Sequence, residues 1–526
     1  MQQTIDTGLL GQKLSEITAS LSYLMPEAVL TAFLLLLLLV DLIAGRRGAY
    51  WLISLSLIGF GVHLFMLFKQ WELLAVLQEP PLLLGMLRLD GIGVFFKALF
   101  SLSGIFTVLL NMHYRSGSEK VESESLKQVG EFYVILYGLL LGATLMVMSA
   151  NLLMLYLAIE IVSIASYILT NFNFDKRSAE AGIKYLLFGG IASGLLLYGI
   201  SLLYGFSGSL LWNEPGFINS LGQIPSLALT PALLLIAAGL LFKVSAVPFH
   251  IWAPDVYEGA PTPVVAMFSV VPKIAGIAVL IHFSGFFDAL QTQIVAIDWQ
   301  WVVGIIAIVT IVLGNFAALS QTNAKRMMAY SSIAHSGFLL VGIVAYSEFG
   351  THSIMFYGAV YLLMNFAAFL LIKMVSRETG YEYIKDYKGL GMEFPVIGVL
   401  FLIVMISLTG LPPTAGFTAK LFIFSSLWQT YQASDSTIMV LLLLVGLLNT
   451  VVSLFYYLKI PYYMFFREKE EDNEERQQML KPKGQLNPFR AVNTSDMFLA
   501  FLLVIPLLVL FFKANWLMEL INFIHF

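Results

Sequence analysis

Fourteen apolar runs follow one another along this chain of 526 residues. They fall near 24–44, 51–69, 91–112, 131–149, 152–171, 179–204, 231–250, 263–284, 300–320, 327–346, 352–374, 395–430, 437–465 and 496–514. A bilayer core of about 30 Å is crossed by about 20 apolar residues wound as α-helix. In hydrocarbon, backbone polar groups must find partners inside the structure, which restricts the chain to helices or closed barrels. The runs therefore predict an all-α polytopic membrane protein of about 14 transmembrane helices. Composition agrees, with 59% hydrophobic and only 12% charged residues, against about 25% charged in a soluble domain.

The absence of cysteine excludes disulfides, thiolate-bound iron–sulfur clusters and cysteine zinc sites. The seven histidines are scattered, and none stands in a metal-ligand spacing. No metal or cofactor is expected on this chain, and nothing points to nucleic acid. The first 22 residues are polar and mixed in charge, without the apolar core of a signal peptide or the Arg-rich bias of a transit peptide.

Lysine and arginine set the orientation, because cytoplasmic loops carry the excess. With the N-terminus outside, the inner loops hold twenty cations, including Arg46, Arg47, Lys120, Lys127, Lys373 and seven between Lys459 and Arg490. The outer side holds four: Lys13, Lys69, Arg88 and Lys513. Both termini are expected on the outer, periplasmic side.

Two spans must break. Pro248 follows Lys243 in the seventh, and Pro412-Pro413 precede Lys420 in the overlong twelfth. The broken spans are five apart, an odd number, so a repeat relating them is inverted, as in many transporters. The expected organisation is an N-terminal three-helix segment (1–130), five-helix repeats of spans 4–8 (131–284) and 9–13 (285–466), a charged cytoplasmic loop (467–495) and a C-terminal helix (496–526). The loop reads as solvated inner surface, or as a docking segment for a neighbour.

Lys243, Lys273 and Lys420 lie inside apolar runs, and Glu160 lies near the middle of Asn151–Asn171. An ionisable group at that depth costs at least a few kcal/mol, which makes each a functional candidate. Proline frees backbone acceptors four residues back, so hydrated breaks are expected beside Lys243 and at Pro272-Lys273. A lysine whose proton affinity depends on a nearby Glu160 can be loaded and unloaded. The bland alternative is a static ion pair locking two helices. Further relay candidates are His335 and Tyr330 in the polar stripe Tyr330–Phe338, together with Lys184 and His250. Each has a plain reading too: His335 and the stripe's hydroxyls as helix-packing hydrogen bonds, Lys184 as a snorkelling surface lysine, and His250 with Asp255 as residues ordering a loop at the inner mouth. Lys97, near the outer end of its span, reads as structural or interfacial.

The string Pro248-Phe-His-Ile-Trp-Ala-Pro-Asp-Val-Tyr-Glu-Gly-Ala-Pro-Thr262 closely resembles the antiporter-like membrane subunits of respiratory complex I. With Tyr257-Glu258 and Val271-Pro-Lys273 it is most similar to the N-type branch. Pro26-Glu27, Asp41, Ser178–Tyr185, Ala329–Gly337 and Gly410–Phe417 extend the resemblance over essentially the whole chain. It implies an ion pair of Glu160 with Lys243, a central Lys273, and Lys420 serving the other half-channel. It also implies partners: membrane neighbours like subunits K and M, and a peripheral redox arm carrying FMN and iron–sulfur clusters, with quinone bound elsewhere. A bacterial inner membrane, or an equivalent energy-transducing membrane, is the implied location. No counterpart of the long lateral helix of subunit L is expected. Two other readings remain: a subunit of a multi-chain sodium/proton antiporter, and a passive scaffold of a membrane arm.

Overall fold

The computed structural model describes residues 7–44, 49–74, 81–115, 129–212, 214–291, 298–468 and 493–524. Arg46, Arg47, Lys120, Lys127 and residues 469–492 of the charged loop lie outside the described residues.

The described residues are almost entirely helical. A helix not anticipated from sequence, α1 (Thr7–Tyr23), leads into α2 (Met25–Ala44) and α3 (Ala49–Leu74). A short antiparallel hairpin, β1 (Pro81–Leu82) with β2 (Leu87–Arg88), precedes α4 (Gly91–Arg115). Then come α5 (Val129–Met148), α6 (Leu152–Thr170), α7 (Lys176–Ser207), α8 (Pro215–Leu221), α9 (Ser226–Val244), α10 (Trp252–Gly259) and α11 (Thr262–Gln291). The second half runs α12 (Trp299–Leu319), α13 (Ala324–Ala345), α14 (Glu348–Thr379), the single turn α15 (Leu390–Glu393), α16 (Pro395–Thr409), α17 (Ala415–Ser434), α18 (Thr437–Tyr457) and α19 (Lys459–Phe466). It closes with α20 (Thr494–Phe512) and α21 (Ala514–Asn522).

Among the described residues, thirteen helices are long and apolar enough to cross a membrane, making this a multi-pass membrane protein. The expected twelfth span is absent from these thirteen because it is divided into α16 and α17.

The span of α11 is buried on every side, and those of α13 and α14 nearly so, whereas α2 and α3 expose most of theirs. Helices apolar all round belong in the interior, and these three make the central layer. Small residues permit the closest approach, as usual between membrane helices. A Cβ on Gly314 of α12 would lie 2.7 Å from the backbone nitrogen of Ala334 in α13.

The two broken helices end alike. Helix α9 stops at Val244, Ser245 turns left-handed (φ 58°), and the N–H of Ala246 reaches back to Leu241 O at 2.9 Å. Helix α16 stops at Thr409, Gly410 turns left-handed (φ 86°), and the N–H of Leu411 reaches Ile406 O at 3.2 Å. Both are Schellman-type ends, which satisfy terminal carbonyls. A cis proline follows each, Val247–Pro248 and Pro412–Pro413, before the second half-helix.

Three expectations need correction. The first break falls just after Lys243 rather than at Pro248, because the left-handed Ser245 ends the helix first. Helix α11 runs uninterrupted through Pro272, since its burial on all sides holds a helix that proline alone would weaken. Lys373 is not an inner-loop cation. It is buried in α14, donating to Leu110 O at 2.9 Å and lying 3.7 Å from the Asp496 carboxylate.

Candidate proton-translocation site

Lys243 is the last residue but one of α9 and is buried. Its Nζ donates to Ser163 Oγ on α6, at 2.5 Å. Glu160 lies three residues before Ser163, so both occupy one face of α6. The expected contact between Glu160 and Lys243 is therefore not closed: the serine hydroxyl takes the ammonium. Glu160 Oε1 is buried without a hydrogen-bond partner among the described residues.

Lys273, on α11, is fully buried and donates to Ser332 Oγ on α13. Tyr257 of α10 completes this node, its hydroxyl 3.0 Å from Ser332 Oγ and its ring centroid 5.6 Å from Lys273 Nζ. The second half of the first broken helix thus reaches the central lysine directly.

Three residues further along α13 is His335. Its Nδ1 lies 2.6 Å from the Tyr357 hydroxyl on α14, and its Nε2 lies 3.0 Å from the Tyr457 hydroxyl on α18. Tyr457 also hydrogen-bonds Ser331 Oγ. Three residues further still, Phe338 offers its ring to Lys420, whose Nζ is 4.6 Å from the centroid. Such a cation–π contact is favourable within about 6 Å. Lys420 donates to Thr409 O, the end of the first half of the broken twelfth span, at 2.7 Å. Ser332, His335 and Phe338 recur at three-residue spacing, so one stripe of α13 runs from Lys273 to Lys420.

The remaining relay candidates separate into different places. Tyr330 is half-buried against the hydrophobic core, and the hydrogen bonds pass through Ser331 and Ser332 instead. His250 lies half-buried in the turn between α9 and α10. Lys184 belongs to a partly exposed charge network at the start of α7, pairing with Glu180 and Asp255 at 2.9 Å each. Arg326 joins Asp255 (2.7 Å) to Glu258 (2.8 Å), and Arg177 joins Glu258 to Glu382 (3.0 Å). Burial pushes the carboxyls of Asp255 and Glu258 up, but their cationic partners outweigh it and hold both below the usual carboxylate range.

Lys97 is buried completely, so it is not interfacial. Sequence reasoning missed Ser163, Tyr357 and Tyr457. The helical spacing of Ser163 from Glu160 was the one signal available; the tyrosines come from distant helices.

The profile described as "NADH:quinone oxidoreductase/Mrp antiporter, TM" matches residues 149–448. NADH-quinone oxidoreductase subunit N of Chlorobium chlorochromatii is 38% identical over 446 residues, covering 84% of each chain. A chain in the structure of respiratory complex I from Thermus thermophilus with bound aureothin superimposes with a TM-score of 0.74 at 28% identity. That match covers 95% of this chain and 100% of the other. A chain of the Mrp complex from Dietzia sp. shares the fold, with a TM-score of 0.77 at 19% identity over 95% of this chain and 96% of that one. The chain belongs to the NADH:quinone oxidoreductase/Mrp antiporter family of transmembrane proteins.

Proposed function

We propose that this chain is the N-type antiporter-like subunit of a complex I-type NADH:quinone oxidoreductase, and that it moves protons through Glu160, Lys243, Lys273 and Lys420. The observation that carries this reading is the stripe of α13 between two buried lysines, Ser332 bonded to Lys273 and Phe338 under Lys420, with His335 between them. A buried lysine is costly, and three of them, on α9, α11 and α17, exceed what helix packing needs.

Quinone reduction elsewhere in the complex shifts charge along the membrane arm. Closing or opening the gap between Glu160 and Lys243 then changes how firmly the lysine holds its proton. Moving a proton against the membrane potential takes about 2.3 kcal/mol per 100 mV. A hundredfold change in proton affinity supplies about 2.7 kcal/mol, so a small movement of one buried pair is enough. On this reading no redox chemistry occurs on this chain. FMN, iron–sulfur clusters and quinone belong to partner subunits, the membrane neighbours resemble subunits K and M, and both termini face the outer side. The two broken helices are equivalent positions of the inverted five-helix repeats.

The test uses native membranes carrying Lys243→Ala with assembly verified, recording quinone reduction and proton uptake together. Loss of both rates, or a greater loss of pumping than of electron flow, is expected. Wild-type rates in an intact complex would sink the four-residue pathway and leave the scaffold reading.

A further inference from the structure

A second buried carboxylate–lysine pair lies outside the four-residue array, where α2, α3, α4 and α5 meet. Lys97 of α4 donates to Glu27 Oε1 of α2 and to Gln70 Oε1 of α3, both at 2.8 Å, with Met148 Sδ of α5 at 3.5 Å. Gln70 Nε2 donates in turn to Tyr23 O at 2.7 Å, at the junction of α1 and α2. Two helical turns back from Gln70 and one turn on from Lys97, His63 Nδ1 meets Ser101 Oγ at 2.5 Å. The serine hydroxyl also lies 3.2 Å from Lys97 O. The next carboxylate toward the start of α4, Asp90, is engaged by Arg88 at 3.0 Å and faces His282 at 3.5 Å.

Two atoms of the cluster are incomplete. Glu27 Oε2 and His63 Nε2 are buried and have no hydrogen-bond partner among the described residues. Burying an ion pair costs several kcal/mol per charge, and apolar residues of similar volume tie helices at least as well. A carboxylate oxygen left open in such a place adds a further penalty of about 1–3 kcal/mol. Oε2 is therefore the carboxylate oxygen open to a proton. The cluster also repeats residue types of the main array, a carboxylate on one helix, a lysine on another and a histidine on a third.

We propose that Glu27 is a second proton-binding site of this protein, separate from the four-residue array, with Lys97 and Gln70 holding the carboxylate in place. The proton is taken on Oε2: an O–H bond forms there, the carboxylate becomes a neutral carboxylic acid, and the pair changes from net zero to one positive charge. Lys97 keeps its proton throughout, and release is the reverse step. Glu27 lies in the first turn of α2, so exchange takes place at the end of the membrane that carries the α1–α2 junction.

The inference rests on the chain being a proton-translocating subunit, but its test does not pass through Lys243. In the complete complex, pH-difference infrared spectra and protons moved per electron are recorded for wild type, Glu27→Gln and Lys243→Ala. The expected result is that E27Q loses one buried-carboxyl band that K243A retains, and moves fewer protons per electron at unchanged electron flow. A retained band, or a wild-type ratio in assembled E27Q, overturns the proposal. Should E27Q fail to assemble, the charge-free pair Glu27→Leu/Lys97→Met decides. A lowered ratio in the assembled double variant supports the site. A wild-type ratio, or failure to assemble, makes the pair a helix tie and overturns it. Wild-type pumping in K243A alone counts against the four-residue pathway and not against Glu27.

Discussion

Lys420 Nζ donates a 2.7 Å hydrogen bond to the carbonyl oxygen of Thr409, so the second half of the broken helix is tied by its lysine to the end of the first. That carbonyl stands at the negative end of the α16 dipole, where a cation is stabilised. The other break is built from the same Schellman end and cis proline, yet its lysine belongs to the first half and reaches away, to Ser163 on α6. One lysine closes its break and the other engages a neighbouring helix.

Lys420→Met removes the ammonium and leaves the Thr409 carbonyl without that donor. A lost hydrogen bond to a charged group costs about 1.5–3 kcal/mol. Assembled K420M complex is expected to lose most of its proton uptake and to melt at lower temperature. Pumping at the wild-type rate would exclude Lys420 from the path.

Ser163→Ala and Ser332→Ala each take the acceptor from one buried lysine while keeping the helix. At about 1.5–3 kcal/mol per charge-assisted bond, coupled turnover should fall about tenfold or more. Ser166→Ala, whose hydroxyl bonds its own helix at Val162 O, is the control expected to stay near wild type. Equal rates in all three would remove the serines from the mechanism.

A Cβ on Gly416 would lie 1.8 Å from Ser407 O, across the gap between the half-helices. Backbone is the obstacle, so no side-chain rotation relieves it. Gly416→Ala should cost about 1–3 kcal/mol or more and lower the yield of assembled complex on native gels. Undiminished yield would mean that the half-helices separate freely.

Asp255 and Glu258 are held below the usual carboxylate range when folded. Depressed carboxyl groups stabilise the folded state above their unfolded values of about 4, and that stability is lost as the pH falls through the folded values. Melting temperature should therefore drop as pH is lowered from 6 to below 4. Asp255→Asn/Glu258→Gln should flatten that slope; an unchanged slope would show that the network does not bear on stability.

Much of the array could be read along the chain because cost is local. Lysine at membrane depth is expensive wherever the chain goes, so Lys243, Lys273 and Lys420 stood out before any contact was known. Proline placed the breaks to within a few residues, missing the left-handed Ser245 because that conformation depends on its surroundings. The continuous helix through Pro272 and the complete burial of Lys97 and Lys373 were illegible for the same reason: neighbouring helices supply what the local sequence lacks.

The sequence by itself determined that this chain is helical, membrane-spanning and charged at a few interior points, since apolar length and the cost of buried charge need no partner. Only the tertiary structure decided which hydroxyl each lysine meets. It put Ser163 against Lys243, brought Tyr357 and Tyr457 to His335 from two other helices, and turned Lys420 back onto Thr409. Hydrogen bonds are decided over about 3 Å, and what lies within that reach is fixed by how the helices pack, not by their order along the chain.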